Sequence, residues 1–196
     1  LQSCRVLVKN SEVSAAKTTM QGYDRIILTA FADPWVGTVP GPLAANDWFK
    51  TVAKQALDAI GPDRLTLAIG AFAVEWTPRK PLPETLPYAE ALRRIAQAGG
   101  TIRYSAQTGN SFGSYSDASG KIRKVWMLDA ASALNQIAAL RQLGLRNIGI
   151  WSLGQEDPGL WQALSHQSLD ADTLSRNLSE VRFPNYVSYQ GKGAFL

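Results

Sequence analysis

Apolar and β-branched residues gather into four short runs, Cys4–Val8, Arg25–Phe31, Leu65–Phe72 and Asn147–Trp151, each nearly continuous rather than alternating. Runs of this kind predict strands buried on both faces, and therefore parallel ones. Between them the spacing becomes helical. Trp48–Ile60 carries apolar residues at Trp48, Phe49, Val52, Ala56, Leu57 and Ile60, and Pro87–Ala98 turns Leu92 and Ile95 inward. In Asp129–Leu143, Asp129 is placed to cap the first turn, while Leu134, Ile137, Ala138 and Leu140 supply the core side. The pattern predicts an α/β protein of about four β-α units. Such repetition suits an open doubly wound sheet or a barrel; no phosphate-cradling glycine loop follows any strand to favour a nucleotide fold, so the barrel leads.

Two stretches fall outside this alternation. Gln107–Lys124 sets Gly109, Asn110, Gly113, Asp117, Ser119 and Gly120 around Phe112 and Tyr115, which predicts a small inserted loop or hairpin with a tight turn at Asp117–Gly120. After Leu164 the chain turns polar and then mixes Pro184, Gly191 and Gly193 with Phe183, Tyr186 and Tyr189. The expected organisation is one domain over 1–165 and an exit segment or linker over 166–196.

Composition narrows the chemistry. With 196 residues, 45% hydrophobic and 18% charged, the chain can bury the core of one ordinary domain. Its formal charge of +4 is scattered rather than gathered into a stripe, so nucleic acid is not an expected partner. Cys4 has no second cysteine to pair with and is read as a small buried side chain at a strand start. His166 is the only histidine, which leaves neither a zinc set nor a Ser-His-Asp triad; no metal or cofactor is expected. No run is long enough to span a membrane, and the first residues lack the form of a signal peptide. With no Met at position 1, the chain is expected to begin partway through something longer.

In a parallel β-α barrel the reacting groups stand at the C-terminal ends of the strands. Here those ends read Phe31-Ala32-Asp33-Pro34-Trp35, Phe72-Ala73-Val74-Glu75-Trp76 and Trp151-Ser152-Leu153-Gly154-Gln155-Glu156-Asp157. Indole faces beside carboxylates suit a sugar, whose C–H faces stack on aromatic rings while its hydroxyls seek charged acceptors. The plainer alternative is that these tryptophans cover the rim. Asp157 before Pro158 also reads as a helix cap, with Trp161 as that helix's first buried residue.

Tyr23–Phe31, Pro40-Gly41-Pro42, Asn46-Asp47-Trp48, Glu75-Trp76-Thr77, Val125–Ala130 and Gly149–Pro158 resemble, in order and spacing, consecutive blocks of the family 18 glycoside hydrolases, over about Tyr23 to Leu164. They are most similar to bacterial forms fused to a family 2 glycosyltransferase and a polysaccharide deacetylase, in which a segment similar to Arg182–Gly193 leaves the barrel. The resemblance implies the C-terminal portion of a TIM (β/α)8 barrel, about its last four strands. It further implies an extracytoplasmic setting, a β-1,4-linked N-acetylglucosamine oligo- or polysaccharide as partner, and adjoining glycosyltransferase and deacetylase domains. Its mechanism uses a glutamic acid to protonate the glycosidic oxygen while the substrate's own acetamido group attacks the anomeric carbon.

That glutamate closes an Asp-x-x-Asp-x-Asp-x-Glu motif, and no such motif occurs in these 196 residues. By resemblance Trp151 is the floor beneath the sugar at the cleavage point. Phe31 stands where the family usually has a tyrosine that holds the acetamido oxygen, and Ala32 where an aspartate commonly follows. Asp33 is the neighbour able to substitute in part. Glu75 replaces an aspartate of the family's Asp-Trp pair and keeps an acceptor for hydroxyls. The candidate substrate-binding residues are thus Trp151, Phe31, Asp33, Trp35, Glu75 and Trp76, with no catalytic residue among them. Three readings stand: part of a chitinase-like hydrolase, a non-catalytic carbohydrate-binding barrel, or a scaffold between enzymatic domains.

Overall fold

Ile26, Leu28, Leu65, Leu67 and Ile69 are completely shielded from solvent, as near-continuous apolar runs require. They belong to two adjacent parallel strands in a computed structural model that describes residues 5–9, 22–32 and 39–161. The strands β1 (Arg5–Lys9), β2 (Arg25–Thr29), β3 (Leu65–Gly70) and β9 (Ile148–Trp151) form one four-stranded parallel sheet in the order β1-β2-β3-β9. These are the four strands the apolar runs predicted. Register aligns Leu28 with Leu67 and Gly70 with Trp151, so the ends of β3 and β9 lie side by side.

Helix α1 (Asn46–Ile60) buries Phe49, Val52, Ala53, Ala56 and Ile60, and α3 (Ala130–Gln142) buries Leu134, Ile137 and Leu140. Both pack on β3 and on each other. Asp129 caps α3 as expected, its Oδ1 accepting the Ser132 N–H at 2.9 Å. Trp48 departs from the expected apolar stripe of α1 and is 36% exposed. Ile148 and Ile150 of β9, expected to be buried on both faces, are only partly covered because β9 is an edge strand.

The inserted element is far larger than the expected loop or hairpin. β4 (Ala73–Trp76), β5 (Glu84–Leu86), β6 (Thr101–Ser105), β7 (Asn110–Ser116) and β8 (Ile122–Met127) form a second, antiparallel sheet in the order β5-β4-β8-β7-β6. Helix α2 (Tyr88–Gln97), expected to pair with a parallel strand, packs on this second sheet instead. Only Ala71 and Phe72 separate β3 from β4, and the unbroken apolar run hides the boundary. The expected hairpin is present as β7–β8. Its turn closes with the Gly120 N–H donating to the Asp117 carbonyl at 2.8 Å, Gly120 taking a positive φ of 76° that favours glycine. Among the described residues the two sheets do not close into a barrel.

Alternation along the second sheet gives it two distinct faces. Ala73, Val125 and Met127 pack with Tyr88, Ala91 and Ile95 of α2 in their own apolar cluster. Val74, Trp76 and Trp126 point the other way and pack with the core of the parallel sheet.

Candidate functional site

The C-terminal ends of the parallel strands bring aromatic rings together. Phe31, just beyond β2, meets Phe72, just beyond β3, edge to face with ring centroids 5.2 Å apart. Gly70 leaves the room for this: a Cβ there would lie 3.0 Å from the Phe72 ring, 3.1 Å from the Phe31 ring and 2.4 Å from Leu128. Trp151 ends β9 beside Gly70 and remains 44% exposed, an open indole at a strand mouth. The Trp151–Ser152 peptide is cis, and the Trp151 carbonyl accepts the Ala71 N–H at 2.6 Å, tying the end of β9 to the start of the insertion. Phe31 and Trp151 are therefore brought to one rim. Asp33 and Trp35 lie outside the described residues, as do Cys4, His166 and the exit segment 166–196.

Glu75 stands elsewhere. Its side chain is 1% exposed; one oxygen accepts Arg94 Nη1 at 3.2 Å and the other accepts the Tyr115 hydroxyl at 2.6 Å, with Arg123 3.6 Å away. Arg123 also donates to Thr77 and to Asp117, the latter at 2.6 and 2.8 Å. Burial, reinforced by the bond to Glu75, pushes the Tyr115 phenol up to about 12. The bonds that Ser119 and Arg123 donate to Asp117 hold its carboxyl far below the usual range. Glu75 is thus the buried centre of a charged network that secures β4, rather than an open acceptor beside Trp151.

Trp76, next along β4, faces the opposite side by strand alternation. It is 8% exposed and lines a cleft with Pro40, Arg79, Lys80, Ile122 and Lys124. Two further rings share its face: Phe112 and Trp126 stack with centroids 5.1 Å apart and planes inclined by 28°. This pair was missed in the sequence-based site, although Trp126 has the opposite parity to Val125 and Met127, which is the mark of a second face with its own packing.

A pair of buried carboxylates joins the two sheets' connections. Asp157 Oδ2 accepts the Ala130 N–H at 3.0 Å and its Oδ1 accepts the Gly159 N–H at 2.9 Å, so it caps its own turn as expected and also braces the start of α3. Asp129 accepts the Ser111 hydroxyl from β7. Burial above all, and the nearby Asp129 charge, push the Asp157 carboxyl up to about 7 against the pull of those N–H donors. Trp161, expected to be buried, is 45% exposed and donates its indole N–H to Glu156 at 3.1 Å.

A parallel sheet whose strand ends gather aromatics, with an α+β insertion between β3 and α3, fits the chitinase-like resemblance read from the motifs. Comparison with known proteins agrees. No protein-family profile matches the chain. It is 24% identical over 156 residues to the cortical fragment-lytic enzyme of Bacillus subtilis strain 168, the match covering 74% of this chain and 34% of that protein. The chitinase from Chromobacterium violaceum shares its fold with a TM-score of 0.70 at 22% identity, over 85% of this chain and 55% of that one. The spore cortex-lytic enzyme SleL of Bacillus megaterium does so with a TM-score of 0.71 at 18% identity, over 83% and 40%. The resemblance read from the motifs is therefore matched by chitinase-like neighbours. The chain spans about a third of the length of the curated relatives it matches.

Proposed function

We propose that the chain is the C-terminal, glycan-facing portion of a chitinase-like (β/α)8 barrel and that its own part is to bind β-1,4-linked N-acetylglucosamine polysaccharide. The observation that carries this reading is Trp151, open at the end of β9 beside Gly70, where β2 and β3 also deliver Phe31 and Phe72. A pyranose ring can lie on that indole with its C–H groups against the π face. The partly covered residues of the edge strand β9 support a sheet that continues into further strands. Asp33 and Trp35 would add a carboxylate and an indole to the same rim, while Glu75 would hold Trp76 in place through β4.

Hydrolysis by the mechanism of the resembled family would depend on the glutamate of an Asp-x-x-Asp-x-Asp-x-Glu motif, which these 196 residues do not contain. Position 31 favours the non-catalytic reading: the Phe31 ring packs on Phe72 and offers no hydroxyl to the acetamido oxygen that aligns the internal nucleophile. The similarity to a cortical fragment-lytic enzyme, a spore cortex-lytic enzyme and a chitinase supports an extracytoplasmic setting; the motif resemblance alone would have residues 166–196 lead toward glycosyltransferase and deacetylase domains. No helix among the described residues is long and apolar enough to cross a membrane.

The test is titration of the complete protein with the N-acetylglucosamine tetramer, with reducing ends assayed in the same samples. Saturable binding without new reducing ends is the expected result. Release of reducing ends places the acid in another segment of the protein, and absence of binding contradicts the proposal.

A further inference from the structure

Strand alternation gives the face of the second sheet that carries Trp76 a charge as well as an aromatic row. Ile122, Lys124 and Trp126 share that face on β8, and Lys124 stands opposite Trp76 of β4 in register. Beyond Trp76 the chain turns, the Lys80 N–H donating to the Thr77 carbonyl at 3.1 Å, and sets Arg79 and Lys80 beside the same strand. With Pro40 from the loop between β2 and α1, these residues enclose a cleft of about 520 Å³, within the size range of small-molecule sites.

Arg79, Lys80 and Lys124 line this cleft, and among the described residues no carboxylate does. All three are exposed at the surface, and among the described residues none has a side-chain hydrogen bond or ion pair. Glu84, which senses the Lys80 charge, is already engaged by Arg94 at 3.1 and 3.2 Å, and chiefly that guanidinium keeps its carboxyl below the ordinary range. Trp76 forms the buried part of the lining, and its indole N–H has no acceptor among the described residues. Three exposed cations around an indole and proline wall match a ligand with an apolar ring face and a negative substituent.

We infer that this cleft is a subsite for a carboxylate-bearing sugar unit, so that the glycan is acidic. The inference rests on the glycan-binding reading above and adds the charge of its substrate. The pyranose lies against Trp76 and Pro40, and the carboxylate is held by Lys124, Lys80 and Arg79. A neutral acetamido sugar fills the same space but leaves the three cations without a counter-charge. Two carboxylates satisfy the chemistry equally, a C6 uronate and a lactyl ether on O3.

Three tetrasaccharides test this on the complete protein by calorimetry: the neutral N-acetylglucosamine tetramer, one in which it alternates with its lactyl-ether derivative, and one in which it alternates with glucuronate. At low salt at least one acidic oligomer binds about tenfold tighter than the neutral one, the gain of one charge-assisted contact. Whichever arm shows the gain identifies the carboxylate. The ratio falls toward one at high ionic strength and in a Lys80→Ala/Lys124→Ala double variant with an unchanged melting curve. Equal affinity for all three, or a preference that survives in the double variant, overturns the inference and leaves the glycan reading standing. Failure of all three to bind overturns both.

Discussion

At the residue scale, Glu75 shows how a motif position can acquire a structural duty. By motif it stands as an acceptor for sugar hydroxyls; in the fold it is buried, with Arg94 and Tyr115, 19 and 40 positions away, on its two oxygens. Those partners come from α2 and β7, and no local spacing rule links them to β4, which is why the network was illegible in sequence. Removing the carboxylate leaves Arg94 and Arg123 facing a vacancy, a loss reduced by the water both guanidinia still reach. Glu75→Ala is expected to cost about 2–3 kcal/mol, and Glu75→Gln less, because the amide keeps the shape and one acceptor. Urea unfolding of the three forms checks this; a wild-type midpoint for Glu75→Ala contradicts it. By contrast, the capping roles of Asp129 and Asp157 were legible, because a cap is written within a few residues of the helix it starts. The exposure of Trp48 and Trp161 was not: each has apolar neighbours in sequence but lacks a covering element among the described residues.

At the element scale, the four parallel strands could be read directly because their runs are short, apolar and separated by helical spacing. The second sheet was obscured for definite reasons. β4 continues the apolar run of β3 almost without interruption, β5 has only three residues, and α2 has the periodicity of any amphipathic helix whichever sheet it covers. The start of α3 carries the element-scale prediction, because Asp157 reaches it from the segment after β9. With its carboxyl raised to about 7, the folded protein holds a proton that the unfolded chain releases near pH 4. Bound protons in the native state then exceed those in the unfolded state from about pH 4 to about pH 7. Across that window the Asp157 contribution to stability falls as pH rises, and above it the contribution is level. Glu84, Glu90 and Glu156, with carboxyls below their ordinary range, push the opposite way at lower pH, so the informative quantity is a difference between variants. Asp157→Asn is expected to show a flatter or rising trend of urea midpoint over that window relative to the wild type. Parallel curves would remove the carboxyl from the account.

At the scale of the whole molecule, the parallel sheet supplies a rim of aromatics and the inserted sheet supplies a second face of aromatics and cations. Both come from the same end of β3: Phe72 closes on Phe31, and two residues further the chain has entered β4, which carries Trp76. The rim was legible because strand-end tryptophans announce themselves in a β-α pattern. The Phe112–Trp126 pair and the Lys124 position required the register of β7 and β8. The proposed partial barrel rests on the chitinase-like neighbours and on the half-covered edge strand, and the proposed sugar site rests on Trp151.

The most direct test of that site compares Trp151→Ala with Trp48→Ala in titrations of the complete protein with the N-acetylglucosamine tetramer. Both indoles are comparably exposed, 44% and 36%, but only Trp151 stands at a strand mouth. Loss of a stacking platform is expected to weaken binding by about tenfold or more in Trp151→Ala, with Trp48→Ala unchanged. Equal effects from the two substitutions, or wild-type affinity in Trp151→Ala, would contradict the account.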